Sequence, residues 1–315
     1  MFEIKRYTPE LAVVWNDFVR TSKNGTFLFD RNYMDYHSDR FADHSLLFYR
    51  DGRLLAVLPG HIAGDTYCTH RGLTYGGLLM SARLTVVQTL ELFRELNGYL
   101  HQQGCRRVFY KCIPWIYHHL PAEEDLYALY HVCRARMVAR DYSTCIFLHE
   151  GLRWERVRRR GVRRAIEAGL TVERSDDYAA FWQVLADNLM TKHGVKPVHT
   201  LPEISLLRQR FPENIVLYQA VRNGEVLGGV VLYNTDRVVH AQYSSATPEG
   251  KKLGAMDLLY EQIMHHDYAD YPYFDFGRST EHPDGSGLNE QLVFQKEGFG
   301  ARGLCYDIYE WELEG

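Results

Sequence analysis

The residues that most invite a chemical interpretation are arginines, because seven of them lie within twelve positions near the middle of the chain. The segment GLRWERVRRRGVRRAIEAGL contains them: Arg153, Arg156, Arg158, Arg159, Arg160, Arg163 and Arg164. A guanidinium group presents a planar fork of donors to phosphate or carboxylate oxygens, and like charges this dense repel one another unless an anion compensates them. The segment is therefore either a solvated linker or a binding site for phosphates, from a nucleotide, a nucleotide-sugar or an RNA backbone.

The apolar residues within this segment predict its secondary structure. Val162, Ile166 and Leu170 have helical spacing, which predicts a helix with one apolar edge after Gly161. The arginines then project from the polar side, and we expect Arg160 and Arg163 to contact substrate.

Composition limits the class of protein. The chain has 315 residues, 46% of them hydrophobic and 24% charged, which is typical of a soluble globular protein and excludes a disordered or collagen-like chain. The net charge of -4 argues against a general nucleic-acid coat protein. Six cysteines without a C-x-x-C pair give no support to a zinc ribbon, and we expect no metal. The start, MFEIKRYTPE, lacks an apolar signal region, and no run of eighteen apolar residues follows, so we expect a cytoplasmic protein without a membrane span.

The elements that must position these groups occur twice, with a period of roughly 170 residues. Each half predicts two helices, an antiparallel meander, a helix, a strand, a helix and a strand. In the second half, helices are predicted over Tyr178–His193 and LPEISLLRQRF, with a meander turn at Asn223-Gly224 and a helix from about Gly254 to His266. We therefore predict two mixed α+β domains, over residues 1–149 and 150–315, with a last strand at 304–313 that completes the second domain or crosses to the first.

This order of elements resembles the GNAT acyltransferase fold, and its duplication resembles the FemABX-like branch, in which two GNAT-like domains occur in one chain. Four segments carry the resemblance: VRRAIEAGLTVE is similar to a basic entry helix, FDFGRS to the end of the fifth strand, QKEGFGA to an F-K-x-G-F-G ending, and GLTYGGL in the first half to a G-x-x-Y-G-G turn. The resemblance implies an acyltransferase built from two largely antiparallel sheets flanked by helices.

The resemblance implies catalytic roles for three residues. Lys296 matches the lysine of the F-K-x-G-F-G ending, where a cation would stabilise the oxyanion formed when an amine attacks an ester or thioester. Asp275 would either take a proton from the incoming ammonium group or orient Arg278, which follows the same strand. Read as an ordinary GNAT segment, FQKEGF has Phe294 where the family has a tyrosine, so the phenol that protonates a departing CoA thiolate is lost.

The resemblance also implies a donor-phosphate loop between a strand and a helix. GNAT enzymes have Q/R-x-x-G-x-G/A there, and the corresponding stretch is SSATPEGKKLGAMDLL, a degenerate match with Glu249 at the Q/R position. Lys251 and Lys252 would meet phosphates as point charges, while Gly250 and Gly254 would keep the backbone open. On the preceding strand, either Tyr243 or Ser244 should face the ligand, since alternate residues point to opposite faces.

The first domain lacks a phosphate pattern, so we expect it to bind acceptor or to be structural, with Tyr75 as a substrate contact. The whole chain then predicts an N-acyltransferase that moves an acyl group from acyl-CoA to an amine of a cell-wall or polysaccharide precursor, which is a small molecule or is linked to a nucleotide or lipid. Two alternatives remain. One is a FemABX-type peptidyltransferase that uses aminoacyl-tRNA, and the other is a non-catalytic GNAT-fold module that binds an anionic ligand.

Overall fold

The computed structural model describes residues 1–282 and 284–313, and the backbone but not the side chain of His193. The chain divides into two compact units. Unit 1 comprises Met1–Tyr142, Thr280–Gly287 and Cys305–Gly315, and unit 2 comprises Ser143–Ser279 and Leu288–Leu304.

Unit 1 contains two groups of paired strands. Its helices and strands run in the order β1 Glu3–Arg6, α1 Ala12–Thr21, α2 Arg31–Met34, β2 Leu46–Arg50, β3 Arg53–Leu58, β4 His61–Ala63, β5 Thr66–Cys68, β6 Leu79–Met80, α3 Val86–Gln102, β7 Arg107–Lys111, α4 Glu124–His131 and the first part of β8 Arg136–Phe147. Short 3₁₀ turns cover Pro9–Leu11, Phe27–Phe29, Asp35–His37 and Trp115–Tyr117. One sheet has the order β1-β2-β3-β6, and β4, β5 and β7 form a second ladder.

Unit 2 contains the arginine-rich segment and a meander of long strands. Its elements are α5 Arg156–Glu167, β9 Thr171–Ser175, α6 Tyr178–His193, α7 Leu201–Arg210, β10 Ile215–Arg222, β11 Glu225–Asn234, β12 Val238–Ala246, α8 Pro248–Leu253, α9 Ala255–Gln262 with a π-helical turn at Ile263–Asp267, β13 Tyr273–Arg278, α10 Glu290–Glu297 and the start of β14 Arg302–Glu312. The strand order is β8-β13-β12-β11-β10-β9. Only β12 and β13 in this series pair in parallel.

Local sequence signals explain the boundaries of these elements. A capping box of Thr200 and Glu203 starts α7, and Gly194, with a φ of 65°, ends α6. Asn223 and Gly224 have φ values of 53° and 80°, as a tight hairpin turn between β10 and β11 requires. The predicted helices Tyr178–His193 and Leu201–Arg210 are therefore present, and the predicted α+β class is confirmed.

Two predictions about local structure were wrong. The arginine-rich helix begins at Arg156 rather than after Gly161. Within the SSATPEGKKLGAMDLL stretch, Pro248–Leu253 form a short helix, α8, instead of an open loop. Gly161 is tolerated inside α5 because α9 lies very close: a Cβ at this position would lie 1.9 Å from a carboxylate oxygen of Asp257. Within the described residues, no helix is both long and apolar enough to cross a bilayer.

Candidate active site

The candidate site is a cleft of about 650 Å³ in unit 2, at the point where two parallel strands separate. Strands β12 and β13 are in register from Val238 opposite Tyr273 to His240 opposite Asp275. Beyond that pair, the residues of both strands line the cleft, and a register shift between β11 and β12 leaves Gln242 unopposed as a bulge. Bulges of this kind interrupt strand pairing and redirect side chains, so the sheet itself opens the cleft.

The cleft is strongly positive. The described residues of its wall include no carboxylate, whereas four cationic side chains line it: Lys192, Lys251, Arg278 and Lys296. Lys251 donates to Asn188 Oδ1 at 2.7 Å, and its pKa is lowered by burial and by the neighbouring charge of Lys192. Positive charge that is confined in a cleft favours an anionic ligand.

Lys296 is the most deeply buried of these cations, with 6% of its surface exposed. Its ammonium group donates to Gly277 O at 2.7 Å, Arg278 O at 3.1 Å and Ser279 Oγ at 2.8 Å. Burial lowers the pKa of Lys296 to about 8, and the negative charge of Asp275 opposes that effect. All three N–H donors are therefore engaged, so a direct bond to an oxyanion requires the release of one of these acceptors.

Asp275 is fully buried, and its oxygens are held by neighbouring groups. Ser143 Oγ and the backbone N–H of Gly277 donate to Oδ1 at 2.8 and 3.0 Å, and His240 Nδ1 donates to Oδ2 at 2.8 Å. This arrangement does not suit the expected transfer of a proton from an incoming ammonium group, because Asp275 does not reach the cleft surface. It positions His240 and the Gly277–Ser279 turn, to which Lys296 is bonded.

The segment predicted to be an open donor-phosphate loop contains a packed helix, α8. Gly250 lies inside α8 against β11, where a Cβ would lie 2.0 Å from Leu227 O, so this glycine permits close packing and does not open the backbone. Gly254, with a φ of 90°, separates α8 from α9 and packs on Gly161 O. Lys252 is exposed and is not part of the cleft wall, and Glu249 is ion-paired with Arg222.

The first turn of α9 contains a carboxylate, Asp257. A helix N-terminus that binds phosphate is expected to have no negatively charged side chain there. Asp257 is 6% exposed and forms an ion pair of 2.9 Å with Arg158 of α5. The pKa of Asp257 is raised by burial, and Arg158 opposes the rise. A carboxylate in the first turn competes with any anion for the positive end of the helix.

Ser244 and Tyr243, two consecutive residues of β12, point in opposite directions. Ser244 lines the cleft and accepts a hydrogen bond of 2.9 Å from Tyr260 Oη on α9. Tyr243 points toward α6, with its ring 5.1 Å from that of Trp182 and its hydroxyl bonded to the His199 ring. Ser244, and not Tyr243, is therefore the member of this pair in position to meet a ligand.

Three groups at the site were missed by sequence reasoning. Tyr260 lines the cleft as a buried phenol whose pKa is raised to about 12 by desolvation. Gln242 has a buried side-chain oxygen without a hydrogen-bond partner in the described structure. His240 becomes notable only because strand pairing puts it opposite Asp275. No sequence pattern around His240 or Gln242 signals these roles, whereas Tyr260 could have been found four residues after Met256 on the same helical face.

The predicted substrate contacts are not among the residues that line the cleft. Arg160 and Arg163 are exposed on α5. Tyr75 belongs to unit 1, where it is 2% exposed and its hydroxyl donates to Thr26 Oγ1 at 3.1 Å. This burial gives Tyr75 a packing role and corrects the expectation that it contacts substrate. Within the described residues, no group of three His, Cys, Asp or Glu side chains is arranged to hold a metal ion.

Comparisons with known proteins assign the fold. Residues 153–283 match the family model described as the acetyltransferase (GNAT) domain. The crystal structure of FemX has a TM-score of 0.69 at 12% identity, with 99% of this chain and 97% of that chain covered. The C-terminal domain of a putative lysylphosphatidylglycerol synthetase from Agrobacterium fabrum has a TM-score of 0.62 at 14% identity, with coverage of 97% and 92%. A tandem GNAT protein from the clavulanic acid biosynthesis pathway has a TM-score of 0.52 at 11% identity, with coverage of 100% and 99%.

Residues 153–283 thus form a domain of the acetyltransferase (GNAT) type, and the parallel pairing of β12 with β13 in unit 2 agrees with that assignment. The chain as a whole shares its fold with FemX and with the tandem GNAT protein, because the match to each of these structures extends over both units. The likeness to these structures is one of fold, given identities of 11–14%. A search of curated protein sequences finds no significant match.

Proposed function

We propose that the protein is an N-acyltransferase that binds an anionic, activated acyl donor in the cleft of unit 2 and delivers the acyl group to an amine. The observation that carries this proposal is the cleft wall, where the described residues bring together four cations and no carboxylate at the separation of β12 and β13. Such a wall suits a phosphate-bearing donor, and two parallel strands that separate provide unpaired backbone N–H groups for an acyl carbonyl.

The chemistry requires little of the protein beyond positioning. The lone pair of the amine attacks the acyl carbon, the carbonyl oxygen becomes an oxyanion, and the bond to the carrier then breaks as the amide forms. The Lys296 charge stabilises the oxyanion at short range, with Asp275 and Ser279 fixing its position. The amine must lose a proton and the carrier must gain one. The Tyr260 phenol, hydrogen-bonded to Ser244, donates a proton to the departing carrier and regains one from the amine, in place of the tyrosine that Phe294 replaces.

Acyl-CoA is the first candidate donor, because the GNAT domain family is named for acetyl transfer and the cleft can neutralise phosphates. Aminoacyl-tRNA is the second candidate, and one observation favours it: Asp257 already occupies the first turn of α9, where the pyrophosphate of CoA would be held. An aminoacyl ester has no pyrophosphate and does not need that position.

The acceptor we propose is an amine of a cell-envelope or polysaccharide precursor. FemX and a lysylphosphatidylglycerol synthetase domain share the fold, and the name of the second refers to an aminoacylated phospholipid. These names support an envelope precursor as the class of acceptor, carried by a nucleotide or a lipid.

Calorimetric titration with acetyl-CoA and with CoA tests the donor. We expect micromolar binding at one site per chain, because the cleft cations compensate the ligand charge. Lys251→Met should weaken binding at least tenfold, whereas Lys252→Met, its exposed neighbour outside the cleft wall, should leave binding unchanged. Equal effects of the two variants would mean that the ligand does not occupy this cleft.

An absence of binding at millimolar acetyl-CoA would exclude that donor and direct the test to aminoacyl-tRNA. Failure to transfer an aminoacyl group from charged tRNA to any amine would then leave the non-catalytic binding module. In that case, charge reversal at Arg160 and Arg163 should abolish ligand binding outright.

A further inference from the structure

Five exposed arginines of the arginine-rich segment are left without an ion pair in the described structure. Arg158 pairs with Asp257, and Arg159 Nε donates to Trp154 O at 3.2 Å. In the part of the chain that the structure describes, no carboxylate lies within ion-pair distance of the other five, which are Arg153, Arg156, Arg160, Arg163 and Arg164. All five are exposed.

The arginines cannot relieve their repulsion by rearranging the helix, because α5 is anchored along its opposite side. Gly161 packs on Gly254, Ala165 is fully buried, and Arg158 is tied to Asp257. Arg156, Arg160, Arg163 and Arg164 are therefore held on the exposed side of α5, and Arg153 lies just before the helix. None of them lines the cleft, so a small ligand in the cleft would not neutralise them.

Exposed apolar side chains border this face. Leu152 is 52% exposed, Val157 49% and Ile166 60%. With 3.6 residues per turn, Val157 and Ile166 lie on either side of the row formed by the exposed arginines of α5. Leu152 lies just before the helix. Large apolar groups beside a basic surface gain free energy in the headgroup region of a bilayer, whereas an RNA backbone offers them nothing comparable.

We propose that this basic face of α5, comprising Leu152, Val157, Ile166 and the five unpaired arginines, binds the surface of an anionic phospholipid bilayer. Each arginine near such a surface strengthens binding by about fivefold at low ionic strength. The charges are spread along the exposed side of the helix, so several of them can reach a plane of headgroups at the same time. The proposal does not depend on which acyl donor the cleft accepts.

Flotation of the full-length protein with vesicles tests the proposal. One set of vesicles is pure phosphatidylcholine and the other contains equal parts of phosphatidylcholine and phosphatidylglycerol. We expect binding to the anionic vesicles alone, decreasing steeply as salt is added. The variant Arg156→Glu/Arg160→Glu/Arg163→Glu should lose at least about a hundredfold in partition coefficient. The matched control, Arg83→Glu/Arg94→Glu/Arg106→Glu, makes the same charge change at exposed arginines of unit 1 and should bind like the wild type.

A second variant distinguishes lipid from nucleic acid. Val157→Ser/Ile166→Ser keeps every charge and should weaken vesicle binding several-fold, while leaving any binding to bulk tRNA unchanged. Binding of tRNA without binding of anionic vesicles would overturn the proposal, and so would equal loss in the control triple variant. Circular dichroism and the thermal midpoint identify any variant that fails to fold, and the conservative variant Arg156→Lys/Arg160→Lys/Arg163→Lys should then retain vesicle binding.

Discussion

A histidine cluster in unit 1 and the Lys296–Asp275 group in unit 2 are about equally deeply buried, but their surroundings differ. In unit 1, His37, His61 and His70 are 2–4% exposed and pack around Phe41, with the ring of His70 lying 5.1 and 5.6 Å from the other two imidazoles. Each has a buried ring nitrogen without a hydrogen-bond partner in the described structure. In unit 2, by contrast, the Lys296 ammonium and the Asp275 carboxylate each have three partners.

The contrast separates two uses of a polar side chain in a core. The imidazoles act as flat packing units that must stay neutral, whereas the lysine and the aspartate hold a turn in one geometry beside a cleft. A buried hydrogen-bond network in which every polar group has a partner favours one specific structure, whereas buried polar groups without a partner lower the free energy of unfolding. The histidine cluster of unit 1 should therefore make the protein sensitive to acid, and the Lys296–Asp275 group of unit 2 should make it sensitive to the loss of a single hydrogen-bond partner.

The largest expected effect is acid destabilisation from the histidine cluster. Desolvation lowers the pKa of His70 to about 2 and that of His61 to about 4, with nearby positive charges adding to the effect. The unfolded chain binds these protons below its ordinary pKa near 6.5, so stability is full above pH 6.5 and falls as the pH drops. Each of the two histidines lowers the free energy of unfolding by up to about 1.4 kcal/mol for every pH unit between 6.5 and its pKa in the folded protein.

Urea unfolding at a series of pH values measures this loss. His70→Asn suits the positive φ of 52° at that position, and together with His61→Phe it should flatten the dependence between pH 4 and 6.5. An unchanged pH dependence in the double variant would assign acid sensitivity to other groups.

The next largest effect is expected from Asp275→Ala. Removal of the carboxylate leaves Ser143, His240 and the Gly277 N–H without their shared acceptor and deprives Lys296 of a stabilising charge, so we expect a loss of about 3–5 kcal/mol. The free energy of unfolding in urea measures it. The control is His61→Phe in unit 1, which replaces an unsatisfied ring by an apolar one and should change stability by less than about 1.5 kcal/mol. Equal losses in the two variants would remove the distinction between the units.

The smallest effect, and the most informative about catalysis, is expected from Lys296→Met. We expect kcat to fall at least tenfold, or about 1.4 kcal/mol of transition-state stabilisation, while KM for the donor changes little. Steady-state kinetics with the donor identified by calorimetry measures this split, and Lys252→Met is the control. Unchanged turnover would remove Lys296 from the mechanism.

Much of the fold could be predicted because its signals are local. The helix Tyr178–His193 and the hairpin at Asn223-Gly224 depend on spacing and turn residues within a few positions. Helix α8 was missed because its stability comes from the Thr247 cap and from the close contact of Gly250 with Leu227 O. The sequence analysis treated Gly250 as a flexible loop residue and so did not expect it inside a packed helix.

The site was only partly predictable, for a related reason. Lys296 and Arg278 were found through family-like segments, and both line the cleft. His240 and Ser143 gain their significance from Asp275, which lies 35 and 132 positions away in sequence. Partners at such separations are created by strand pairing, and a single sequence contains no direct record of it.

The last strand has a consequence for how the protein folds as it is synthesised. Residues 308–312 of β14 pair antiparallel with Arg107–Lys111 of β7, so this ladder joins segments about 200 positions apart in sequence. While the ribosome is still translating the residues between them, the edge of β7 that β14 later covers is unpaired. Nascent chains of this protein should therefore need chaperone protection of that edge until β14 emerges, and a frameshift just before β14 should damage unit 1 although most of that unit has already been synthesised.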